Sequence, residues 1–191
     1  MTPGERFCKQ PVPIRKFEWL SLGAVLMITA GALTYFGEGK PAVMPDAPVE
    51  AQVVRPAPAY TPKHIYSETA DPKADIAAGL AQAKHEHKRV ILDFGGDWCG
   101  DCQVLDIYFH QPPNAEVLEK NFVLVHVWIG HMDTNIDVAA KYGVPIHRGV
   151  PALAVLAPNG KVLYSQATGE FSAMRHMDPN SVTDFLKKWK S

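Results

Sequence analysis

The sequence predicts an α/β domain with a mixed central sheet and helices on both faces, placed after an N-terminal membrane helix. Three observations predict it. From residue 71 to the C-terminus, runs with helical spacing alternate with short β-rich runs. Two cysteines, Cys99 and Cys102, sit where a strand gives way to a helix. Nineteen consecutive residues, Trp19 to Gly37, carry no charge.

In a chain of 191 residues, 47% of them hydrophobic, there is room for one core plus a membrane segment. As a helix, residues 19–37 would span about 28 Å, close to a hydrocarbon core of roughly 30 Å. Arg6, Lys9, Arg15 and Lys16 precede the span, within a leader covering 1–18. That basic excess predicts a cytoplasmic N-terminus and places the rest across the membrane. Ala30-Gly31-Ala32 also has the form of a signal-peptide cleavage site, so release near Ala32 is the alternative. Either way the C-terminal part faces an oxidising space.

Residues 38–70 hold Pro41, Pro45, Pro48, Pro56, Pro58 and Pro62 among Ala and Val. Such a stretch favours extended conformations and reads as a spacer without a core of its own. The folded domain is expected over 71–191. Asp71-Pro72 is an N-cap followed by a first-turn proline, and Ile76, Leu80 and Ala83 continue that helix to about His87. Val90 to Phe94 is a strand, and a helix follows the cysteines to about His110. Pro112-Pro113-Asn114 interrupts the chain before a short helix at 115–120. Phe122 to Ile129 reads as a buried strand, and Asn135 to Tyr142 as a helix stopped by Gly143. Ala152 to Ala157 and Lys161 to Ser165 form a hairpin around Pro158-Asn159-Gly160. Asp178-Pro179 opens a last helix with Val182, Phe185, Leu186 and Trp189 on one face.

The chemistry concentrates at Trp98-Cys99-Gly100-Asp101-Cys102. Cysteines two residues apart can close and reopen a small disulfide. A thiol at a helix N-terminus meets unpaired N–H groups and the positive end of the helix dipole, which favour the thiolate. The thiolate is the nucleophile of disulfide exchange.

Taken together, four features resemble the thioredoxin family over residues 71–191. They are Trp98-Cys99-x-x-Cys102 between strand and helix, Asp93 six residues before the first cysteine, Gly149-Val150-Pro151 before the hairpin, and the Pro158-Asn159-Gly160 turn with a late Gly169. The wider pattern is similar to bacterial membrane-tethered or exported thioredoxin-like proteins. The resemblance implies a thioredoxin-like fold and a thiol–disulfide oxidoreductase. It implies Cys99 as nucleophile, at the exposed edge of the helix start, and Cys102 as resolving thiol. Asp93, on a buried strand where a carboxyl has a raised pKa, would accept the Cys102 proton. Pro151 would be cis and face the cysteines, with Val150 and Trp98 meeting the substrate. Gly100-Asp101 stands where thioredoxin has Gly-Pro, so these two residues tune the redox poise. A carboxylate beside the nucleophile disfavours the thiolate, which makes the couple more reducing. The alternative for Asp101 is a screened position in solvent.

These expectations imply disulfide-containing protein substrates and a membrane or periplasmic dithiol as electron donor, with no cofactor and no metal. They imply a membrane-anchored monomer. The net charge of −1 and the lack of a basic run argue against nucleic acid. Two other readings use the same cysteines: a Cu(I)-binding module, and a disulfide isomerase or oxidase. His85 with His87, His131 with Met132, and Met174 with His176 and Met177 are the candidate extra metal donors, and His147 lies near the Pro151 loop. Cys8 receives no role.

Overall fold

The computed structural model describes residues 56–191. The 1–18 leader with Cys8, the 19–37 span and residues 38–55 of the spacer lie outside the described residues. Among the described residues no helix is long and apolar enough to cross a membrane.

Helix α1 (Pro72–Glu86) starts where Asp71 Oδ1 accepts the backbone N–H of Lys73 at 2.9 Å, satisfying a free donor of the first turn. It ends at His87, in the left-handed conformation. Strand β1 (Arg89–Gly95) follows and is buried at every position after Arg89. Helix α2 (Gly100–His110) begins on Cys99, and helix α3 (Asn114–Asn121) follows the Pro112–Pro113 break. Strand β2 (Phe122–Trp128), helix α4 (Ile136–Lys141), strands β3 (Ala152–Leu156) and β4 (Val162–Ser165), and helix α5 (Asn180–Trp189) complete the domain.

The sheet order is β2-β1-β3-β4, with β1 parallel to β2 and antiparallel to β3. Alternate residues of β1 feed two cores, because successive strand side chains point to opposite faces. Val90, Leu92 and Phe94 pack with Ile76 and Ala83 of α1 and with Val138 and Ala139 of α4. Ile91 packs on the other face with Val104, Leu105 and Phe109 of α2, Leu118 of α3, and Val182 and Leu186 of α5.

Three expectations change. The strand at 122–129 is an edge strand: Leu124, His126 and Trp128 are only half-buried, since β2 has a sheet partner on one side alone. The described end of the 38–70 stretch is more than a spacer. Its proline content forbids a core of its own, but Tyr66 enters the core of its neighbour and is 3% exposed. The α5 cap shifts by one residue: Asp178 Oδ1 accepts Asn180 N–H at 2.9 Å, and Pro179 precedes the first helical turn.

Candidate active site

Strand β1 and helix α2 meet at a short loop, Gly96-Asp97-Trp98. Asp97 fixes this loop from outside. Its Oδ1 accepts the backbone N–H groups of Ile65 at 2.8 Å and Tyr66 at 3.1 Å, and its Oδ2 lies 2.9 Å from His64 Nδ1. Burial works against the Asp97 charge, but these donors prevail and hold its pKa below the ordinary carboxylate value. From α2, Gln103 Nε2 donates to Lys63 O at 2.8 Å.

Cys99 caps α2. Its Sγ accepts the Cys102 backbone N–H at 3.1 Å and is joined to Cys102 in a disulfide. The sulfur therefore stands at the positive end of the helix, where negative charge is favoured. Both cysteines are covered: Cys99 keeps 6% exposure and Cys102 none. The expected exposed edge is thus a narrow opening, reached from the Cys99 side. Trp98 stands beside it at 47% exposure, with Nε1 donating to Gly130 O at 2.7 Å and the ring stacked on His131.

The opposite wall is the turn before β3. The Val150–Pro151 peptide bond is cis, and Val150 O lies 3.6 Å from Cys99 Sγ. A buried side chain braces this turn: Gln166 Nε2 donates to Pro151 O at 3.1 Å, and its Oε1 accepts Leu153 N–H at 3.2 Å. Gly169, with φ +78°, completes the support. A Cβ there would stand 2.6 Å from Arg148 O, so a side chain would displace the turn. Gln166 carries no motif, and sequence reading passed over it.

Asp93 lies on β1 and is 1% exposed. Its Oδ2 accepts the Tyr66 hydroxyl at 2.7 Å and lies 2.9 Å from His126 Nδ1. Its Oδ1 is buried without a hydrogen-bond partner among the described residues. His126 is reached because β1 and β2 pair in register with Asp93 opposite His126. An unpaired buried oxygen costs about 1–3 kcal/mol, so the site keeps an acceptor at some expense. Sequence reading found Asp93 but neither partner. A polar residue inside the apolar run FVLVHVWI was the one available signal for His126.

Burial opposes a charge on His126, but the Asp93 carboxylate outweighs it and raises the imidazole pKa above its ordinary value. A raised value means that the folded state binds this proton more tightly than the unfolded chain. The stabilisation is complete below about pH 6.5 and disappears as pH rises through the higher folded-state value. In His126→Asn the donor toward Asp93 remains and the titration does not. Thermal melts of native protein should lose stability as pH rises above about 6.5, and His126→Asn should lose none of it.

Asp101 is neither a lone charge beside Cys99 nor a screened one. It is 8% exposed, and Arg175 takes both its oxygens: Arg175 N–H donates to Oδ1 at 2.8 Å, and Nη2 donates to Oδ2 at 3.1 Å. Arg175 lies in a 3-10 turn, Met174–His176, packed against α2. The expected destabilising carboxylate is therefore matched by a cation supplied from 74 residues away. Gly100 opens α2 next to it, under Tyr60: a Cβ there would lie 2.8 Å from the Tyr60 hydroxyl.

Among the described residues no group of three or more His, Cys, Asp or Glu is placed to hold a metal ion. Met174 is fully buried in the core formed with α2 and α5, and His147 lies exposed in the turn Ile146–Arg148. The soft donors that stand together are Cys99 and Cys102, bonded to each other.

The arrangement joins a cysteine pair at a helix start, a backbone carbonyl facing it, and a buried carboxyl on β1. A family described as thioredoxin-like matches residues 71–158. The thiol:disulfide interchange protein DsbD of Pseudomonas fluorescens is 29% identical over 129 residues, covering 66% of this chain and 20% of that protein. A thioredoxin H-type of Chlamydomonas reinhardtii is 41% identical over 83 residues, covering 44% of this chain and 64% of that one. The chain thus spans a fifth of the first relative and just under two thirds of the second. A disulphide isomerase from Xylella fastidiosa Temecula1 superposes with a TM-score of 0.63 at 35% identity, over 66% of this chain and 96% of that one.

Proposed function

The chain belongs to the thioredoxin-like family, and from that premise we propose that it is a periplasmic thiol–disulfide oxidoreductase, tethered to the inner membrane, that reduces disulfides in client proteins. One observation carries the reading: the Cys99–Cys102 disulfide closes on the α2 N-terminus with the Val150 carbonyl 3.6 Å from Cys99 Sγ. The reactive sulfur, its resolving partner and a backbone carbonyl that an extended client would meet are thereby in one place.

The reduced protein starts the cycle. The Cys99 thiolate attacks one sulfur of a client disulfide, and the other client sulfur leaves and takes up a proton. Cys102 gives its proton to Asp93 and attacks Cys99 Sγ. The second client sulfur departs, and the Cys99–Cys102 disulfide seen in this structure is the product. The client gains two electrons and the protein loses two, so a dithiol donor must restore them. Trp98 and Val150 line the path by which a client strand reaches Cys99.

One feature supports the reducing direction and another the placement. Arg175 pairs with Asp101 and cancels its effect on the Cys99 thiolate, so the direction rests on the buried carboxyl of Asp93. A carboxyl there gives no stabilisation to a Cys102 thiolate, and strong oxidants are those that stabilise their reduced form. The uncharged 19–37 segment behind Arg6, Lys9, Arg15 and Lys16 supports the tethered, extracytoplasmic placement.

The test is a redox titration of the full chain in detergent. A midpoint near −270 mV is expected, and one as oxidising as about −120 mV would reverse the direction. Membrane-impermeant maleimide applied to spheroplasts after mild reduction should label Cys99; labelling only after lysis would reject the extracytoplasmic placement. A second reading, disulfide isomerisation, is favoured by the 35% identity to the Xylella protein described as a disulphide isomerase. Recovery of a scrambled disulfide client without added reductant would select it.

A further inference from the structure

The Tyr66 hydroxyl is hydrogen-bonded to Asp93 and shares the space over Gly95 with the Cys102 sulfur. Tyr66 donates its phenolic proton to Asp93 Oδ2 at 2.7 Å. The same oxygen and the Cys102 sulfur converge over Gly95. A Cβ on Gly95 would lie 2.6 Å from the Tyr66 hydroxyl oxygen and 2.8 Å from Cys102 Sγ. With only hydrogen at that position, oxygen and sulfur occupy neighbouring space above one Cα. Tyr66 is 3% exposed, Asp93 1% and Cys102 0%, so bulk water does not reach the gap. Burial and then the Asp93 charge raise the phenol pKa well above its ordinary value, so Tyr66 keeps its proton. A neutral phenol can accept a proton on its oxygen while it gives its own away. On the outer side of Asp93, His126 Nδ1 lies 2.9 Å from the same Oδ2, with the imidazole side chain 22% exposed.

We propose that the Tyr66 hydroxyl receives the Cys102 proton in the resolving step and passes its own proton to Asp93, with His126 as the outlet to solvent. This rests on the dithiol reading above. As the Cys102 S–H bond breaks, a new O–H bond forms on Tyr66, and the former Tyr66 proton bonds to Asp93. The resulting sulfur lone pair forms the bond to Cys99, and the client sulfur leaves with the electron pair of the mixed disulfide. The proton on Asp93 then passes to Nδ1 of the neutral His126 imidazole, and the other ring nitrogen gives its proton to water. Two other charged groups face this network, Asp97 after β1 and Asp106 on α2. Both are acidic and add to the upward shift of the imidazole pKa; neither offers a competing donor to the sulfur.

The experiment uses the full chain in detergent. The reduced protein is loaded at Cys99 with 5-thio-2-nitrobenzoate, and the coloured thiolate released by Cys102 is followed between about pH 5 and pH 9. Tyr66→Phe keeps the ring and removes the hydroxyl. The release rate should fall by about 10- to 100-fold, with its rise displaced to higher pH, while Cys99 alkylation stays within about two-fold. Equal rates and equal pH profiles in native and Tyr66→Phe protein would overturn the relay. Should the variant fail to fold, a proton inventory on native protein decides. Two protons moving together bend the plot of rate against deuterium fraction, and a straight line would overturn the relay. Native protein that releases no thiolate removes the dithiol reading and the relay with it; native release matched by Tyr66→Phe removes the relay alone.

Discussion

With Cys102→Ser, the full chain is expected to accumulate clients covalently bound at Cys99 and to stop after one turnover. The capture half of the cycle survives, because Cys99 keeps its place at the α2 N-terminus and the Cys102 backbone N–H that its sulfur accepts belongs to the main chain. The release half is lost. Cys102 is three residues from Cys99, fully buried and already positioned to close the ring. Intramolecular groups held in line reach effective molarities of up to about 10⁵ M or more, whereas cellular thiols are millimolar, so turnover should fall by at least ~10³-fold. Cys99→Ser should neither capture nor turn over, since a serine hydroxyl carries no thiolate at neutral pH. Non-reducing electrophoresis, followed by mass spectrometry of the trapped species, reads both outcomes and identifies the client. Full turnover by Cys99→Ser, or the absence of any adduct in Cys102→Ser, would remove Cys99 as nucleophile.

The frame around this pair was legible because its signals are local. Asp71-Pro72 announces α1 from two adjacent residues, and Pro158-Asn159-Gly160 announces the β3–β4 turn from three. The alternation of strand-like and helix-like runs then sufficed for the fold class. What escaped is non-local. Tyr66 meets Asp93 across 27 residues, His126 meets it across 33, and Arg175 meets Asp101 across 74. Asp101 shows how this misleads. A charge is visible in the sequence, but its effect depends on a partner that only the fold supplies. Tyr66 shows the complementary error. Composition tells whether a segment can build its own core, and says nothing of whether it lends a side chain to another.

The second large effect follows from that segment. A chain beginning at Asp71, where the helical pattern starts, should be markedly less stable than one beginning at Pro56. The shorter chain lacks Tyr66, a buried aromatic, and such removals cost about 3–5 kcal/mol. It also strips Asp97 of the Ile65 and Tyr66 N–H donors and removes the Tyr66 hydroxyl from Asp93 Oδ2. Buried acceptors left unpaired add about 1–3 kcal/mol each, partly relieved where water now enters. Domains of this size have only about 5–15 kcal/mol in total, so the loss is a large fraction. The melting temperature should drop by about 10 °C or more. Tyr66→Ala in the longer chain isolates the aromatic part and should account for most of the drop. Because Asp97 lies two residues before Cys99 and is tied to 64–66, the shortened domain should also lose definition at the cysteine loop, so Cys99 alkylation should speed up as the sulfur becomes less covered. Equal melting temperatures for chains starting at Pro56 and Asp71 would return residues 56–70 to the role of a plain spacer and leave Asp93 with His126 alone.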